Sequence, residues 1–317
     1  MKFSLVTTCL NEMRSLPRWR EDLRAQSRQP DEVVIVDAVS KDGTQEFLQD
    51  WAKSDDRLKI KIEKCGAARG RNLAIEMAAN DHVVSTDLGT RLDPHWFEEI
   101  VRPFEEDPTV EIVAGSFAID LTTLQGAVAR AELYLEDGGV PKLGLGFVPG
   151  NRSTAYIKKV WRELGGLPED LTLYADDSVF GRQMLQGNYK TAYAPKAIVY
   201  WRRPSKFKAF WKEQYNYGRG DGEAHIKIPV AYHWYSKGLI PAWMVPTLTA
   251  LRTMTQQLRP RAIAEALRKG DVLACLCMPL LLWGNGYNVG KGFLVGNEHG
   301  RTHCLSCRAR LEKYKGH

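Results

Sequence analysis

The sequence predicts an α/β fold, a mainly parallel sheet flanked by helices, with an appended helical segment at its C-terminal end. Three observations predict it. Short apolar, β-branched runs alternate with helix-like stretches: Phe3-Ser-Leu-Val-Thr-Thr8, Glu32-Val-Val-Ile-Val36 and His82-Val-Val-Ser-Thr86. Each run hands over to polar residues, respectively Asn11-Glu12, Asp37 and Asp87. The composition then changes near residue 226, where the chain turns basic and partly apolar. In open α/β sheets, ligands bind in the crevice beyond the carboxyl ends of the strands. Three strands that deliver acids and amides to one such edge predict a site there.

Taken in order, the pattern reads strand 3–8, helix 12–26, strand 32–37, helix 44–54, strand 58–62, helix 67–79, strand 82–86, helix 94–106 and strand 110–119. The second helix follows Ser40-Lys-Asp-Gly-Thr44, whose Asp, Gly and Thr supply turn and N-cap chemistry. The fourth begins at Asp93-Pro94, an N-cap with proline at the first helical position. Residues 1–115 thus form a βα-repeating, nucleotide-binding half of a domain spanning 1–225. Its second half, 116–225, is less regular: a helix over 122–136, a Gly-rich loop over 138–150, a strand over 153–158 and a short helix through Trp161. A helix over 177–186, strands over 189–194 and 197–202, and a helix over 206–218 complete it, the last ending in the Gly-rich turn Gly218–Gly222.

The chain has 317 residues, 44% hydrophobic and 26% charged, enough for a substantial core. Its net charge of +6 is unevenly placed. Residues 1–199 carry 25 basic against 31 acidic side chains, and residues 200–317 carry 19 against 7, a net +12. That third predicts an anionic partner: a membrane surface, a phosphorylated substrate or, less in keeping with the rest, nucleic acid. No stretch reaches the roughly 18–20 consecutive apolar residues of a helical span. The shorter runs 239–248 and 272–283, with Trp243, Trp283 and intervening arginines, fit either an interfacial segment or a packed cap. The apolar N-terminal run breaks at Asn11-Glu12, so no secretory leader is expected. The six cysteines predict free thiols and a cytoplasmic setting rather than a disulfide framework. A zinc site from Cys304, Cys307, His299 and His303 has the right ligand types but an unfamiliar order.

Several positions carry candidate chemistry. Asp37, at a strand end, suits a nucleobase N–H or ribose hydroxyl. Gly66-Ala-Ala-Arg69-Gly-Arg71-Asn72 opens a helix, and free N–H groups with two arginines make an anion site fit for a diphosphate. Thr86-Asp87-Leu-Gly89 offers a hard carboxylate to Mg²⁺ or Mn²⁺, which often use one or two carboxylates plus phosphates. Asp176-Asp177 starts a helix, where adjacent carboxylates complement the dipole or supply a general base. Arg219, between glycines, could clamp phosphate.

In this order the pieces resemble the family 2 glycosyltransferases, over roughly residues 3–222. Thr7-Thr-Cys-Leu-Asn-Glu12 resembles the T-Y-N-E turn, Val36 through Thr44 the D-D-G-S-x-D-G-T turn, and Gly66 through Asn72 the G-x-x-x-A-R-N segment. Asp87-Leu-Gly89 falls at D-x-D, Gly150-Asn151 with Gly165-Gly166-Leu167 at the acceptor-side G-N…G-G-F, and Asp176-Asp177 at the E-D pair. The resemblance implies a GT-A fold, a nucleotide-diphosphate sugar donor, a divalent metal at Asp87 and inverting transfer to a glycan or lipid-linked acceptor. It implies that Asp177, beside Asp176, is the base. Thr8, Asn11, Glu12, Asp37, Arg71, Asn72, Asp87 and Arg219 would bind the donor, and Gly150 and Asn151 the acceptor. Ala38-Val39 and Gly89 depart from the pattern, and Gln214 through Arg219 is not the Q-x-x-R-W of processive synthases. A sugar nucleotidyltransferase and a catalytically degenerate sugar-nucleotide-binding protein are the alternatives. Peripheral attachment to the cytoplasmic membrane face is the expected location.

Overall fold

The computed structural model describes residues 1–136, 148–172, 174–306 and 308–309. The expected Gly-rich loop therefore lies largely outside the described residues, as does Cys307. In chain order the first half comprises β1 (Phe3–Cys9), α1 (Leu16–Arg24), β2 (Glu32–Asp37), α2 (Thr44–Ala52), β3 (Leu58–Ile62), α3 (Ala67–Met77), β4 (His82–Ser85), β5 (Thr90–Leu92), α4 (Trp96–Glu106) and β6 (Ile112–Ile119). Then come α5 (Gly126–Leu135), β7 (Thr154–Ile157), α6 (Lys158–Glu163), α7 (Asp176–Gln186) and β8 (Thr191–Trp201). The rest is helical: α8 (Phe207–Ala224), α9 (Val230–Ser236), α10 (Met244–Gln257), α11 (Pro260–Arg268) and α12 (Val272–His303).

Among the described residues the strands form one eight-stranded sheet in the order β3-β2-β1-β4-β7-β6-β8-β5. β1 pairs in parallel with β2 and β4, which brings Cys9 opposite Asp37 and aligns the carboxyl ends of all three strands. β7 runs antiparallel between β4 and β6. The two strands expected at 189–194 and 197–202 are one strand, β8, irregular where it passes the Ala114–Ser116 stretch of β6. β5 was not legible in the sequence: three residues are too short for a periodic signal, and its pairing with β8 supplies the order.

The buried faces explain the alternation. Leu5, Val33, Ile35 and Val84 meet Trp19, Trp51, Trp96 and Phe97 of α1, α2 and α4 on one side. Val6, Val34, Val36 and Val83 meet Leu73, Ile75 and Phe180 of α3 and α7 on the other. A sheet apolar on both faces is what continuous Val/Ile runs specify.

The C-terminal helices differ from expectation in two ways. Gly218–Gly222 does not end a helix; it lies inside α8, which runs on to Ala224. Those glycines are needed for packing. A Cβ on Gly292, Gly296 or Gly300 of α12 would stand 2.2, 1.9 or 2.2 Å from the carbonyl oxygens of Tyr215, Arg219 and Glu223, and one on Gly222 would stand 2.3 Å from Phe293 O. The seam is backbone against backbone, at every fourth residue, which glycine alone permits. Gly296→Ala is expected to cost about 1–3 kcal/mol, read as a lowered midpoint of thermal unfolding; an unchanged midpoint would show the seam to be slack.

The second difference concerns length. Pro279 and the Gly/Asn positions that interrupt the apolar run in sequence do not interrupt the helix, so α12 is continuous over 32 residues. Among the described residues it is the one helix long and apolar enough, by length and composition, to cross a membrane. Leu273, Leu276, Leu280, Trp283 and Tyr287 form an exposed stripe along it, while Met278, Leu281 and Phe293 are buried against its neighbours.

Candidate functional site

The carboxyl edge is stitched by its two turns. Asn11, at φ 57°, donates its N–H to Ser40 Oγ at 2.7 Å, and its Oδ1 accepts from Lys41 N at 2.9 Å. Glu12 N donates to Thr44 Oγ1 at 3.0 Å. Asp37 sits beneath these turns, fully buried, accepting from Ser40 N at 2.8 Å, Ser40 Oγ at 2.5 Å and Cys9 Sγ at 3.4 Å. It was expected to face a nucleoside; three of its acceptor positions go to Ser40 and Cys9, so it also braces the 37–40 turn. Thr8 is half-buried: Oγ1 donates to Val36 O at 2.8 Å beneath α3, where a Cβ on Gly70 would stand 2.3 Å from it.

Arg71 organises the rest. From the second turn of α3 its Nη1 donates to Asp176 Oδ2 at 2.6 Å and its Nη2 to Asp87 Oδ1 at 3.0 Å. Its side chain is only 16% exposed. Burial works against its charge, but Asp176, Asp87 and Asp177 together hold its pKa above the usual arginine value. Burial also pushes the Asp176 carboxyl up, opposed by Arg71 and reinforced by repulsion from Asp177. The structure thus brings together Asp87, Arg71, Asp176 and Asp177 from three separate segments, and leaves Asp37 outside that cluster.

Asp177 faces differently from its neighbour. A Cβ on Gly150 would stand 3.4 Å from Asp177 Oδ2, so this half-buried carboxylate looks toward the Gly150–Asn151 segment. Both acids occupy the first turn of α7, where the helix dipole favours negative charge. Ala175 ahead of them is at φ 73°, a left-handed conformation costly to a residue with a Cβ, which makes the sharp entry that presents the pair. Asn151 is buried, and its Nδ2 lacks a hydrogen-bond partner among the described residues.

Asn72 and Arg219, both expected on the donor side, also make internal contacts. Asn72 is buried and accepts from Trp161 Nε1 and Leu167 N, while its Nδ2 donates to Leu167 O and Glu169 Oε1. It latches α3 to the 161–169 segment. Arg219 Nε donates to Glu223 Oε1 at 3.0 Å, and Glu223 in turn accepts from Thr172. Arg69 lies among the carboxylates of Glu63, Glu76 and Glu169, at 3.7, 3.9 and 3.6 Å. Asp93, expected as the N-cap, lies in the turn ahead of α4, whose N-cap is His95, and accepts from His95 N and Tyr200 OH.

Gly89 has a spatial counterpart that sequence order hides. A Cβ there would stand 3.9 Å from Glu12 Oε1. Burial raises the Glu12 carboxyl, partly offset by its bond from Ser15 and reinforced by Asp87 and Asp42. Glu12 and Asp87 therefore place two hard carboxylates near the edge where the second Asp of D-x-D is missing, a donor set that suits Mg²⁺ or Mn²⁺ once phosphate oxygens join it. The zinc set expected from Cys304, Cys307, His299 and His303 lies partly outside the described residues, since Cys307 is not among them. Cys304 is buried and donates to Asp170 O, and His299 and His303 stack on each other at 4.3 Å. Among the described residues no cluster of three or more His, Cys, Asp or Glu is arranged to hold an ion.

Sequence reading missed a neighbouring cleft of about 590 Å³ between the sheet and α8 and α12. Arg152 stacks on Trp201 at 4.1 Å and donates to Tyr217 OH at 3.3 Å, and Tyr217 meets Tyr174 edge-on, two residues before the acidic pair. The available signal was that Arg152 directly follows Gly150-Asn151.

Two family descriptions match this chain: glycosyl transferase family 2 over residues 4–158, and glycosyl transferase family group 2 over residues 82–286, well over half the chain. The chain is a family 2 glycosyltransferase. The O-antigen chain rhamnosyltransferase RfbN of Salmonella typhimurium is 26% identical over 209 residues, 63% of this chain and 66% of that protein. The poly-β-1,6-N-acetyl-D-glucosamine synthase of Staphylococcus aureus is 20% identical over 238 residues, 71% and 55% respectively. The chain thus spans between about half and two thirds of these relatives' lengths. Among solved structures, the mannosyltransferase PcManGT from Pyrobaculum calidifontis, in complex with GDP-Man and Mn²⁺, superposes with a TM-score of 0.59 at 20% identity, covering 94% of this chain and 87% of that one. S. aureus TarS 1-349 in complex with UDP gives 0.51 at 15% identity, covering 95% and 92%. At such identities the likeness bears on the fold, and the fold of this glycosyltransferase is of the GT-A type with a helical C-terminal segment.

Proposed function

We propose that this glycosyltransferase moves a sugar, with inversion, from a nucleotide-diphosphate sugar to a hydroxyl of a glycan or lipid-linked acceptor in cell-surface polysaccharide synthesis. The observation that carries the reading is the Arg71 strut, which ties Asp87 to Asp176 and leaves Asp177 beside Gly150. Its relatives, an O-antigen chain rhamnosyltransferase and a poly-β-1,6-N-acetyl-D-glucosamine synthase, support the polysaccharide setting. The GDP-Man and UDP complexes of its structural neighbours support a nucleotide-bound donor.

In this reading the acceptor hydroxyl lies between Asp177 and the anomeric carbon. Asp177 takes the hydroxyl proton as that oxygen bonds to the anomeric carbon from the face opposite the diphosphate. The carbon–oxygen bond to the diphosphate breaks, and the leaving group departs with the electron pair. Arg71, kept charged by its carboxylate partners, faces that developing charge. Asp176 positions Arg71 and is not the base. Asp87 and Glu12 are the residues that would hold Mg²⁺ or Mn²⁺, which when bound neutralises diphosphate charge. Asn11 and the 37–44 turn would line the nucleoside side.

A panel of UDP-, GDP- and dTDP-sugars, with and without Mn²⁺, tests the proposal by hydrolysis or transfer; no turnover and no binding of any donor would overturn it. Gly89→Asp tests the metal edge, since the nearest group to a side chain there is 3.9 Å away. It is expected to lower the Mn²⁺ concentration for half-maximal donor hydrolysis by about tenfold. An unaltered requirement would move the ion away from Asp87. The basic C-terminal third and the exposed Leu239, Trp243 and α12 stripe support attachment to an anionic membrane face.

A further inference from the structure

Behind the acidic pair lies a second cleft, of about 600 Å³, whose charged lining is entirely basic. Arg182 enters from α7, His225 and Lys227 from the turn after α8, His233 from α9, and Arg301 and Arg308 from the end of the chain. Among the described residues no Asp or Glu lines it. Asp221, which is outside the lining, ion-pairs with Lys227 at 3.2 Å. Arg182 Nε is buried without a hydrogen-bond partner among the described residues. His225 and Lys227 are held at φ 56° and 47°, so the turn that carries them into the cleft adopts a conformation few side chains favour.

Its position relates it to the chemistry. Lys227 Nζ lies 3.4 Å from Ser178 Oγ, and Ser178 follows Asp177. Arg182 is about 8 Å further along the same helix. The Arg71 strut engages the other side of that helix start through Asp176. An anion bound here would therefore sit beside the proposed base, away from the donor side. An exposed apolar stretch continues from the lining in sequence: α9, which supplies His233, exposes Trp234 and Tyr235, and Leu239 and Trp243 follow at 69% and 73% exposure.

We infer that this cleft binds the phosphate or diphosphate ester of an amphiphilic acceptor, its apolar chain running out past Trp234, Leu239 and Trp243. Arginine forks and a lysine supply charge-assisted hydrogen bonds to phosphate oxygens. Exposed tryptophans and tyrosines suit the boundary between acyl chains and water. The inference deepens the proposed function and rests on it: the acceptor is lipid-linked, and this cleft holds its anionic joint.

The test is calorimetric binding of farnesyl diphosphate to the full chain, with UDP and GDP at saturation to fill the donor side. Wild type should bind it, and exposed Arg301→Gln should weaken binding by about tenfold. Arg182→Gln with Arg301→Gln should weaken it further, and Arg301→Lys should retain most of it. Inorganic pyrophosphate should bind at least about tenfold more weakly than farnesyl diphosphate, for want of the chain. Equal affinities for the two would assign the cleft to a soluble anion and overturn the inference. So would unchanged farnesyl diphosphate affinity in the double variant, or an effect seen only with phosphatidylcholine vesicles containing 30 mol% (about a third) phosphatidylglycerol. Nucleotide binding separates the two levels. Its retention without farnesyl diphosphate binding removes this subsite alone, whereas its absence from the wild type removes the donor reading.

Discussion

Asp177→Asn is expected to abolish sugar transfer, by about 10²–10⁴-fold, while donor binding stays measurable. The amide keeps the shape of the carboxylate but cannot take a proton from the acceptor hydroxyl. The assignment falls on Asp177 because its neighbour is already committed. Asp176 is bonded to Arg71 at 2.6 Å and nearly sealed from solvent, whereas Asp177 opens toward Gly150. Binding of the donor nucleotide measured beside turnover separates a lost base from a lost fold. Turnover within about tenfold of the wild type would place the base elsewhere.

Arg71→Met is expected to cost about 3–5 kcal/mol of stability as well as activity, because it strands the buried Asp176 carboxylate. The side chain of Asp176 is 9% exposed and that of Asp87 34%, so most of the penalty belongs to Asp176. Adding Asp176→Asn to Arg71→Met should restore more than half of the lost stability without restoring turnover. Thermal unfolding of the two variants decides the matter. If Arg71→Met melts with the wild type, the strut carries no structural weight.

Local chemistry made much of this legible. The Val/Ile runs at 33–36 and 83–84 specified buried parallel strands, and Asp93-Pro94 and Asp176-Asp177 marked helix entries close to where they occur. What sequence order could not convey was direction. Thr8, Asp37 and Asn72 lie in segments that reach the site, yet their side chains turn inward to Val36, Ser40 and Leu167. A motif gives the address of a backbone, not the face of the sheet or turn on which a short polar side chain spends its hydrogen bonds. The nearness of Glu12 to Gly89 was hidden for a related reason: the two are 77 positions apart and meet only because β1 and β4 are adjacent. The helix signal failed at Gly218–Gly222 because glycine propensity there is overruled by the close approach of α12.

That glycine seam bears on where the protein can be divided. A break after residue 225 would strip α12 from α8 and uncover main-chain carbonyls at Tyr215, Arg219 and Glu223 along a face that has no large side chains to hide them. Gly220 of the same helix lies against Tyr174, so the scar would reach the loop that introduces the two acids. The C-terminal helices are thus less a handle fixed to a finished sheet than a support for α8 and for the loop it packs against.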